Sequence, residues 1–382
     1  MASGALRELR KHQVPNWWHK ARLGIFIHWT PASVPAYAPK EEGLLEILTS
    51  HDEDAMSRIP YTEWYENSLR FPNSPVAKYH YQNYGSRPYS DFGADFNEAI
   101  SDWDPTPWAE VFRTTGAKYV VLVTKHHDGF SLWPSRVTNP YHKDWHTRRD
   151  VVGELAEAVR GVGLRFGVYY SGGLDWTFNA TPIGTMVQTA LAVPRGQYPA
   201  YADAQVRELI ERYRPSVLWN DISWPGRRPE LWSLFEHYYR SVPEGVVNDR
   251  WLPYSRLNQL LRFKPIQHQL NSLFRKTAHK NQGLIPPKPP HFDVRTPEYT
   301  AMEHAPEYAW ETVRGMDASF GFNQSSTPED FISKDELLHS LHNANRFGGN
   351  LLINVGPTAS GEIPPAQLER LRWLGEATAL RP

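Results

Sequence analysis

The sequence predicts an α/β fold in which parallel strands close into a (β/α)8, TIM-like barrel with long loops at its active face. Short apolar strands alternate with helical segments over about 350 residues, which is the pattern of a parallel sheet. The 382 residues are enough for a barrel of roughly 250 residues and its loops. A doubly wound, dinucleotide-binding sheet is the weaker alternative, because no Gly-x-Gly-x-x-Gly fingerprint follows an early strand.

Six segments have the composition of buried strands. The clearest runs from Tyr119 to Val123, where β-branched and aromatic residues follow one another without a polar break. Such a run is typical of a strand that is buried on both faces. The predicted strands are Gly24–Trp29, Tyr119–Thr124, Arg165–Tyr170, Ser216–Asp221, Gly245–Asp249 and Asn350–Val355.

Helical segments lie between the predicted strands. In Asp150–Gly161 and the residue after it, apolar side chains recur every three or four positions, and Asp150 is suited to accept N–H hydrogen bonds as an N-cap. Tyr201–Tyr213 and Lys334–Arg346 have the same periodicity. These patterns predict the helices that cover the sheet.

We expect a single barrel domain over residues 1–382, with one compositional break at about residues 252–290. This segment is predicted to be an insertion, with an amphipathic helix over "SRLNQLLRF" and an extended, proline-rich end in "IPPKPP". The last segment, "PPAQLERLRWLGEATALRP", predicts a final helix.

Composition excludes several classes of function. The 41 basic and 42 acidic residues nearly cancel, and the basic residues form no stripe along the whole chain, which argues against nucleic acid or an anionic membrane as a partner. No apolar stretch approaches the roughly 20 residues of a membrane span. The chain has no cysteine, so disulfides and thiolate metal sites are excluded. The absence of cysteine and of a signal-peptide pattern favours the cytoplasm, and secretion stays open if a signal was removed.

Polar residues collect at the carboxyl ends of the predicted strands. In a (β/α)8 barrel these ends meet at one face, where the active site lies. One polar strand end would indicate no more than a loop hydrogen bond, but five together predict a pocket. The strand-end residues are His28 and Trp29; His126 and His127; Tyr169 and Tyr170; Trp219, Asn220 and Asp221; and Asn248, Asp249 and Arg250.

The polar residues suit a neutral polyol better than a metal ion. Adjacent histidines on a strand point to opposite sides, so His126 and His127 would need a bulge or turn to share an ion. His-x-His, His-Glu-x-x-His and Gly-x-Ser-x-Gly patterns are all missing. Imidazoles that bind hydroxyls, aromatic walls and a carboxylate are what a sugar requires, and 15 Trp and 19 Tyr supply such walls. We therefore expect no metal and no cofactor.

Eight blocks of the sequence carry a family resemblance. They run in order from about Trp17 to Pro357 and resemble glycoside hydrolase family 29, the retaining α-L-fucosidases. The blocks are "WWHKARLGIFIHW", "YTEWYENSLR", "AKYVVLVTKHHDGFSLW", "LRFGVYYSGGLDW", "VLWNDISWP", "VVNDRW", "DVRTPEY" and "FGGNLLINVGP".

The resemblance implies a role for individual residues. Asp221 matches the nucleophile, and Glu298 resembles the general acid/base of one branch of the family. A retaining enzyme holds two such carboxyl groups about 5–5.5 Å apart. Arg250 is the natural cation beside Asp221. The positions that match the binding of fucose hydroxyls and of its C5-methyl side are His28, Glu63, Trp64, His126, His127, Tyr169 and Trp219.

The predicted insertion precedes Glu298, so the loop that carries the acid/base residue is expected to differ from that of the family. Glu303, Glu307 and Glu311 are alternative acid/base residues. Two further departures from the family concern Thr30, where the family usually has Gly, and the C-terminal β-sandwich, which is not expected here. A partner chain that replaces the sandwich, and hence a homo-oligomer, stays open.

The remaining alternatives concern the reaction. The expected substrate is a small molecule or oligosaccharide that carries L-fucose, cleaved with retention through a covalent intermediate. A fucose-binding protein without turnover and a metal-assisted hydrolase on the same barrel are the rival functions. A β-galactosidase-like specificity is a further alternative, because L-fucose and D-galactose share a hydroxyl pattern. Asn220 and Asp249 are expected to bond loops rather than substrate.

Overall fold

Eight parallel strands form the centre of the part of the chain that the computed structural model describes, which is residues 2–281, 284–285 and 287–379. They are hydrogen-bonded in the order β5-β4-β3-β2-β1-β8-β7-β6, which is a nearly closed (β/α)8 barrel and confirms the predicted fold class. The strands are β1 (Leu23–Ile27), β2 (Tyr119–Lys125), β3 (Arg165–Tyr170), β4 (Val217–Asn220), β5 (Val246–Val247), β6 (Val294–Arg295), β7 (Ala309–Arg314) and β8 (Asn350–Val355).

The six predicted strands are present as β1 to β5 and β8, and two further strands were missed. β6 has only two residues, which is too short for any periodic signal. β7 has the sequence AWETVR, in which the buried Glu311 interrupts the apolar run. Sequence patterns detect strands by their apolar residues, so a strand with a buried carboxylate at its centre is not recognised.

Buried carboxylates also close the barrel between β5 and β6. The backbone N–H of Asp293 donates to the carbonyl of Val247 at 3.0 Å, and the Asp293 carboxylate accepts the N–H of Val247 at 2.8 Å. One residue beyond β6, the N–H of Thr296 donates to the Asp249 carboxylate at 3.2 Å. Side chains thus complete the seam where the two strands are too short to pair by themselves.

Fourteen α-helices surround the barrel in the described residues. Helix 151–161 begins as predicted, with the Asp150 carboxylate accepting the N–H of Gly153 at 3.0 Å. The helices are α1 (Ala2–Leu9), α2 (Asn16–Ala21), α3 (Leu44–Thr49), α4 (Tyr65–Leu69), α5 (Pro75–Tyr84), α6 (Phe92–Ala99), α7 (Thr106–Thr114), α8 (Val151–Gly161), α9 (Met186–Ala192), α10 (Tyr198–Tyr213), α11 (Arg228–Ser241), α12 (Lys264–Asn281), α13 (Lys334–Arg346) and α14 (Pro365–Ala379). Short 3-10 helices cover Pro31–Ser33, Ala55–Arg58, Thr62–Trp64, Tyr89–Asp91, Arg256–Arg262 and Pro328–Asp330.

Each strand contributes to two cores, because its side chains alternate between the two faces. On β2, Val120 and Leu122 pack outward against the helices, whereas Tyr119, Val121 and Val123 fill the barrel. Gly24 on β1 makes room for this filling, since a Cβ there would lie 2.3 Å from the Tyr119 ring. None of the helices in the described ranges combines the length and apolar character needed to cross a bilayer.

The predicted insertion is mostly helical, but its helices differ from the expected one. The stretch "SRLNQLLRF" forms the 3-10 helix Arg256–Arg262, and the longer α12 follows it. Leu257, Leu260 and Phe263 are three residues apart, which suits the 3-10 repeat, and all three are exposed. Helix α12 packs against α3 and α9. Within the predicted extended end, Pro286 lies outside the described residues, and residues 287–289 have no regular structure.

Candidate active site

One cavity opens at the carboxyl ends of the strands and gathers the predicted site residues. The strand ends and the 3-10 helix Thr62–Trp64 supply its walls. Arg250 lies behind the lining, in contact with two of its carboxylates. The lining residues are Phe26, His28, Tyr61, Glu63, Trp64, His126, His127, Tyr169, Trp219, Asp221, Glu298, Val313 and Phe320.

Asp221 follows β4 directly and is held by three donors. The phenol of Tyr169 donates to Oδ2 at 2.9 Å, while Arg250 Nη1 and the backbone N–H of Ile222 donate to Oδ1 at 3.0 and 2.8 Å. Hydrogen bonds from a cation and a phenol stabilise the negative charge of a carboxylate. Ile222 has φ of +68°, a left-handed conformation that is strained for a β-branched residue.

Arg250 joins the two carboxylates of the cavity. Its Nη2 donates to Glu298 Oε1 at 2.5 Å, and its Nη1 donates to Asp221. The guanidinium lies 4.6 Å from the centre of the Trp219 ring and also donates to the carbonyl of Thr296 at 3.2 Å. The contact between Arg250 and Asp221 that the sequence predicted is therefore present.

Glu298 occupies an environment that differs from that of Asp221. Burial raises the pKa of the Glu298 carboxyl, although the charge of Arg250 opposes this effect. Its backbone N–H donates to the carbonyl of Leu284 at 3.0 Å, so a residue of the predicted insertion contacts it. A carboxyl group with a raised pKa is suited to hold and deliver a proton.

Three histidines line the cavity as neutral imidazoles. Burial lowers the pKa of His28 to about 4 and lowers the pKa of His126 and of His127 well below the ordinary value. His28 Nδ1 lies 2.6 Å from Asn354 Oδ1, and His127 Nδ1 lies 2.7 Å from Ser171 Oγ. The Nδ1 of His126 is buried with no hydrogen-bond partner among the described residues.

The geometry of His126 and His127 differs from a regular strand. Strand β2 ends at Lys125 after a register shift, and the two imidazoles lie in the turn beyond it with ring centres 4.0 Å apart. Both rings therefore face the same cavity, which alternation along a strand would forbid. The His126 ring also stacks on Tyr169, at 5.6 Å and an interplanar angle of 6°.

Glu63 and Trp64 reach the cavity from a 3-10 helix outside the barrel. Glu63 accepts the hydroxyl of Thr62 at 3.1 Å, and burial raises its pKa to about 7. The Trp64 ring meets the His127 ring edge-on, at 5.3 Å between ring centres. Both residues thus line the cavity.

His28, Glu63 and His126 each offer one nitrogen or oxygen atom that could bind a metal ion, and these three atoms lie within 4.8 Å of one another. Two imidazoles and a carboxylate at this spacing have the chemistry of a metal site, and equally that of a site for several hydroxyl groups. The other lining residues are largely aromatic, which suits the apolar face of a sugar ring.

The alternative acids lie elsewhere. Glu303 and Glu307 are exposed and do not line the cavity. Glu311 is fully buried inside the barrel, bonded by Tyr119 and Trp219. Among the four glutamates considered for the acid/base role, only Glu298 lines the cavity.

Other predicted roles concern loops. Asn220 accepts the N–H of Gly172 at 3.1 Å and donates to the carbonyl of Arg250 at 2.8 Å, and Asp249 accepts the hydroxyl of Thr296 at 2.7 Å. Both bond neighbouring loops, and neither lines the cavity. Thr30 caps the 3-10 helix Pro31–Ser33 by accepting the N–H of Ala32 at 3.2 Å.

Four lining residues were not identified from the sequence: Phe26, Tyr61, Val313 and Phe320. Phe26 on β1 lies two residues before His28, which directly follows that strand, so the two-residue period of a strand was a usable signal. Phe320 comes from the loop after β7, for which the sequence carries no pattern.

Comparisons with known proteins show which family the chain belongs to. The sequence matches the alpha-L-fucosidase family over residues 3–380. The chain belongs to this family. It is therefore a glycoside hydrolase, as the eight sequence blocks implied. Tissue alpha-L-fucosidase of Mus musculus is 29% identical over 378 residues, which is 97% of this chain and 71% of the mouse protein. The human tissue enzyme is 28% identical, over 96% of this chain and 68% of its own length.

Solved structures of family members have the same fold. The alpha-fucosidase of Thermotoga maritima, in complex with a mechanism-based inhibitor, is 42% identical with a TM-score of 0.78. The match covers 97% of this chain and 75% of that one. The same Thermotoga protein in complex with fucose gives the same identity and TM-score.

Proposed function

We propose that this α-L-fucosidase family member removes terminal α-L-fucosyl units with retention, through a covalent intermediate on Asp221. The observation that carries the proposal is the position of Arg250, which bonds two carboxylates, Asp221 and Glu298, that line one polar and aromatic cavity. Two carboxylates with unlike surroundings at one site are the basis of retaining glycosidase chemistry.

Asp221 is the nucleophile in this proposal. An oxygen of its carboxylate attacks the anomeric carbon of the fucosyl unit. The bond between that carbon and the leaving oxygen breaks. Tyr169, Arg250 and the N–H of Ile222 fix the carboxylate in one orientation before the attack. Such preorganisation lowers the barrier, because the donors need no rearrangement during the reaction.

Glu298 supplies the proton and later removes one. In the first step its carboxylic acid protonates the departing oxygen. In the second step the resulting carboxylate takes a proton from water, whose oxygen attacks the anomeric carbon and releases Asp221. The raised pKa of the buried Glu298 favours the protonated form that the first step requires.

The neutral histidines and aromatic rings bind the sugar. His28, His126 and His127 offer hydrogen bonds to hydroxyl groups without adding charge. Trp64, Trp219 and Phe320 provide apolar surfaces for the C5-methyl side of fucose. The Thermotoga relative, 42% identical, has been solved in complex with fucose, which supports the same sugar for this chain.

The test combines a nucleophile variant with an added nucleophile. We expect Asp221→Gly to lower kcat by several orders of magnitude while the thermal unfolding curve stays cooperative. Azide should enter from the vacated face and give the β-fucosyl azide. An α-fucosyl azide would contradict the role of Asp221. Rates of hydrolysis of p-nitrophenyl α-L-fucoside and of the β-D-galactoside test the specificity for the sugar. Faster hydrolysis of the galactoside would overturn the proposed substrate.

A further inference from the structure

We propose that Asn354 fixes the imidazole of His28 with its proton on Nδ1, so that Nε2 accepts a hydrogen bond from a sugar hydroxyl. The inference rests on the proposed function, since it assumes that the cavity binds a fucosyl unit. It adds a positioning residue, Asn354, and states which partner of the contact donates.

The orientation of the Asn354 amide follows from its second contact. Asn354 lies on β8 and is buried, and its Nδ2 donates to the backbone carbonyl of Phe320. A flipped amide would set its oxygen against that carbonyl oxygen, with no proton between them. Oδ1 is therefore the atom that faces His28.

An amide oxygen can only accept, so the proton between the two side chains belongs to the histidine. His28 Nδ1 lies 2.6 Å from Asn354 Oδ1, which is hydrogen-bond distance. Because burial lowers the pKa of His28 to about 4, the ring carries one proton at neutral pH. With that proton on Nδ1, Nε2 has a free electron pair.

The free nitrogen belongs to the cavity. Within the described residues, His28 Nε2 has no hydrogen-bond partner, and His28 lines the cavity beside Glu63 and His126. A hydroxyl that approaches Nε2 must donate its proton. The site therefore distinguishes a hydroxyl group from a substituent that only accepts, such as fluorine.

The tautomer can be measured in the free protein. Long-range proton–nitrogen NMR of ¹⁵N-histidine-labelled protein distinguishes a protonated Nε2 from one without a proton. The chain has 16 histidines, and the signal that is missing in the His28→Gln variant belongs to His28. We expect a bare Nε2 in the natural chain and in Asn354→Asp, which keeps an acceptor. Asn354→Leu should shift the signal towards protonated Nε2. A protonated Nε2 in the natural chain would overturn the proposal.

Asn350 gives a matched control. It is also a buried asparagine on β8, but it bonds the backbone of Arg22 and Trp18 at the other end of the strand. Asn350→Leu should reduce thermal stability as Asn354→Leu does, without changing the His28 signal. An equal change of that signal in both variants would indicate general loosening and contradict the role of Asn354.

Binding of fucose analogues tests the consequence. At one position of the sugar ring, the deoxyfluoro sugar should bind as weakly as the deoxy sugar, because fluorine cannot donate a hydrogen bond. Both affinities should be about tenfold or more below that of L-fucose. In Asn354→Leu, the fluoro sugar should bind better than the deoxy sugar at that position. If, in the natural protein, the fluoro sugar binds better than the deoxy sugar at every ring position, the inference is overturned. Failure to bind L-fucose at all would instead overturn the proposed function, and the NMR result would still decide the tautomer.

Discussion

The indole of Trp219 donates a hydrogen bond to the buried carboxylate of Glu311, at 3.1 Å from Nε1 to Oε1. The other oxygen of Glu311 accepts the phenol of Tyr119 at 2.5 Å. Above this pair, the Trp219 ring stacks on Tyr169 at 5.4 Å and faces Arg250 at 4.6 Å. Tyr169 and Arg250 both bond Asp221, so Glu311 supports the geometry of the proposed nucleophile from inside the barrel.

The first prediction concerns the stability of Glu311→Gln. Burial raises the pKa of Glu311 from 4.5 to about 7, so folding favours its protonated form. The natural chain should therefore lose stability relative to the glutamine variant as pH rises from 4.5 through 7, by roughly 3 kcal/mol in total. Urea unfolding at pH 5 and pH 8 measures this difference. Glu303→Gln, at an exposed position, is the comparison variant, and the same dependence at both sites would contradict the assignment to Glu311.

The second prediction concerns the leaving group. Glu298→Ala should sharply lower the rate on fucosyl-sugars, whose leaving oxygen needs protonation, and spare the first step on aryl fucosides. Kinetics with a series of leaving groups of different acidity measures this.

Glu303→Ala and Glu307→Ala are the matched controls, since both residues are exposed glutamates outside the cavity. Equal losses of Glu298→Ala on activated and unactivated substrates would assign the acid/base role to another carboxylate.

The third prediction tests whether His126 bonds a hydroxyl group of the substrate or a metal ion. His126→Ala should lower kcat/KM by about tenfold or more, because a buried hydroxyl of the substrate loses its partner. The natural chain should keep full activity in excess EDTA. His304→Ala, at an exposed position, should have little effect. Loss of activity in EDTA that zinc or manganese restores would favour a metal held by His28, Glu63 and His126.

The fourth prediction concerns backbone strain beside Asp221. Ile222, directly after Asp221, has φ of +68°, and glycine adopts this conformation without steric conflict. Ile222→Gly should keep stability within about 1 kcal/mol but lower kcat, because the peptide that bonds Asp221 gains freedom. Arg214→Gly is the control, since Arg214 has φ of +43° at the end of α10. An unchanged kcat in Ile222→Gly would show that the strain has no part in preorganisation.

Much of this architecture could be predicted from the sequence, because strands β1 to β4 and β8 consist largely of apolar residues and the first four of them lead into polar residues at their carboxyl ends. The convergence of His28, His126 and Asp221 followed from the rule that parallel strands share one active face. The shared orientation of His126 and His127 could not be predicted, because it depends on a turn beyond the last strand residue.

The remaining misses share a physical cause. Strand β7 was not recognised because Glu311 is polar in sequence, although Tyr119 and Trp219 satisfy its hydrogen bonds in the fold. Phe320 reaches the cavity through a loop, whose path depends on tertiary contacts. Local patterns contain no information about partners that are distant in the chain.

The last prediction concerns the insertion at residues 252–290 and its influence on the aglycone. Its two ends are fixed to the site region, because Pro253 pairs with Trp224 and Leu284 pairs with Glu298. Between these anchors, the 3-10 helix and α12 lie against α3 and α9. Long loops at an active face commonly shape access to the substrate. We therefore expect the insertion to form one wall on the leaving-group side.

Replacing residues 256–281 by a short linker, with both anchors kept, should alter the preference among aglycones more than the affinity for free L-fucose. Since removal of α12 uncovers α3, the milder variants Leu257→Ser and Phe263→Ser, at exposed positions, provide a second measurement in a stable chain. Initial rates on fucosyl-disaccharides and on p-nitrophenyl fucoside, together with the binding constant of L-fucose, decide the matter. If fucose affinity falls in proportion to every rate, the insertion supports the sugar pocket itself. If neither the linker variant nor the serine variants change the ratio of rates, the insertion lies outside the path of the leaving group.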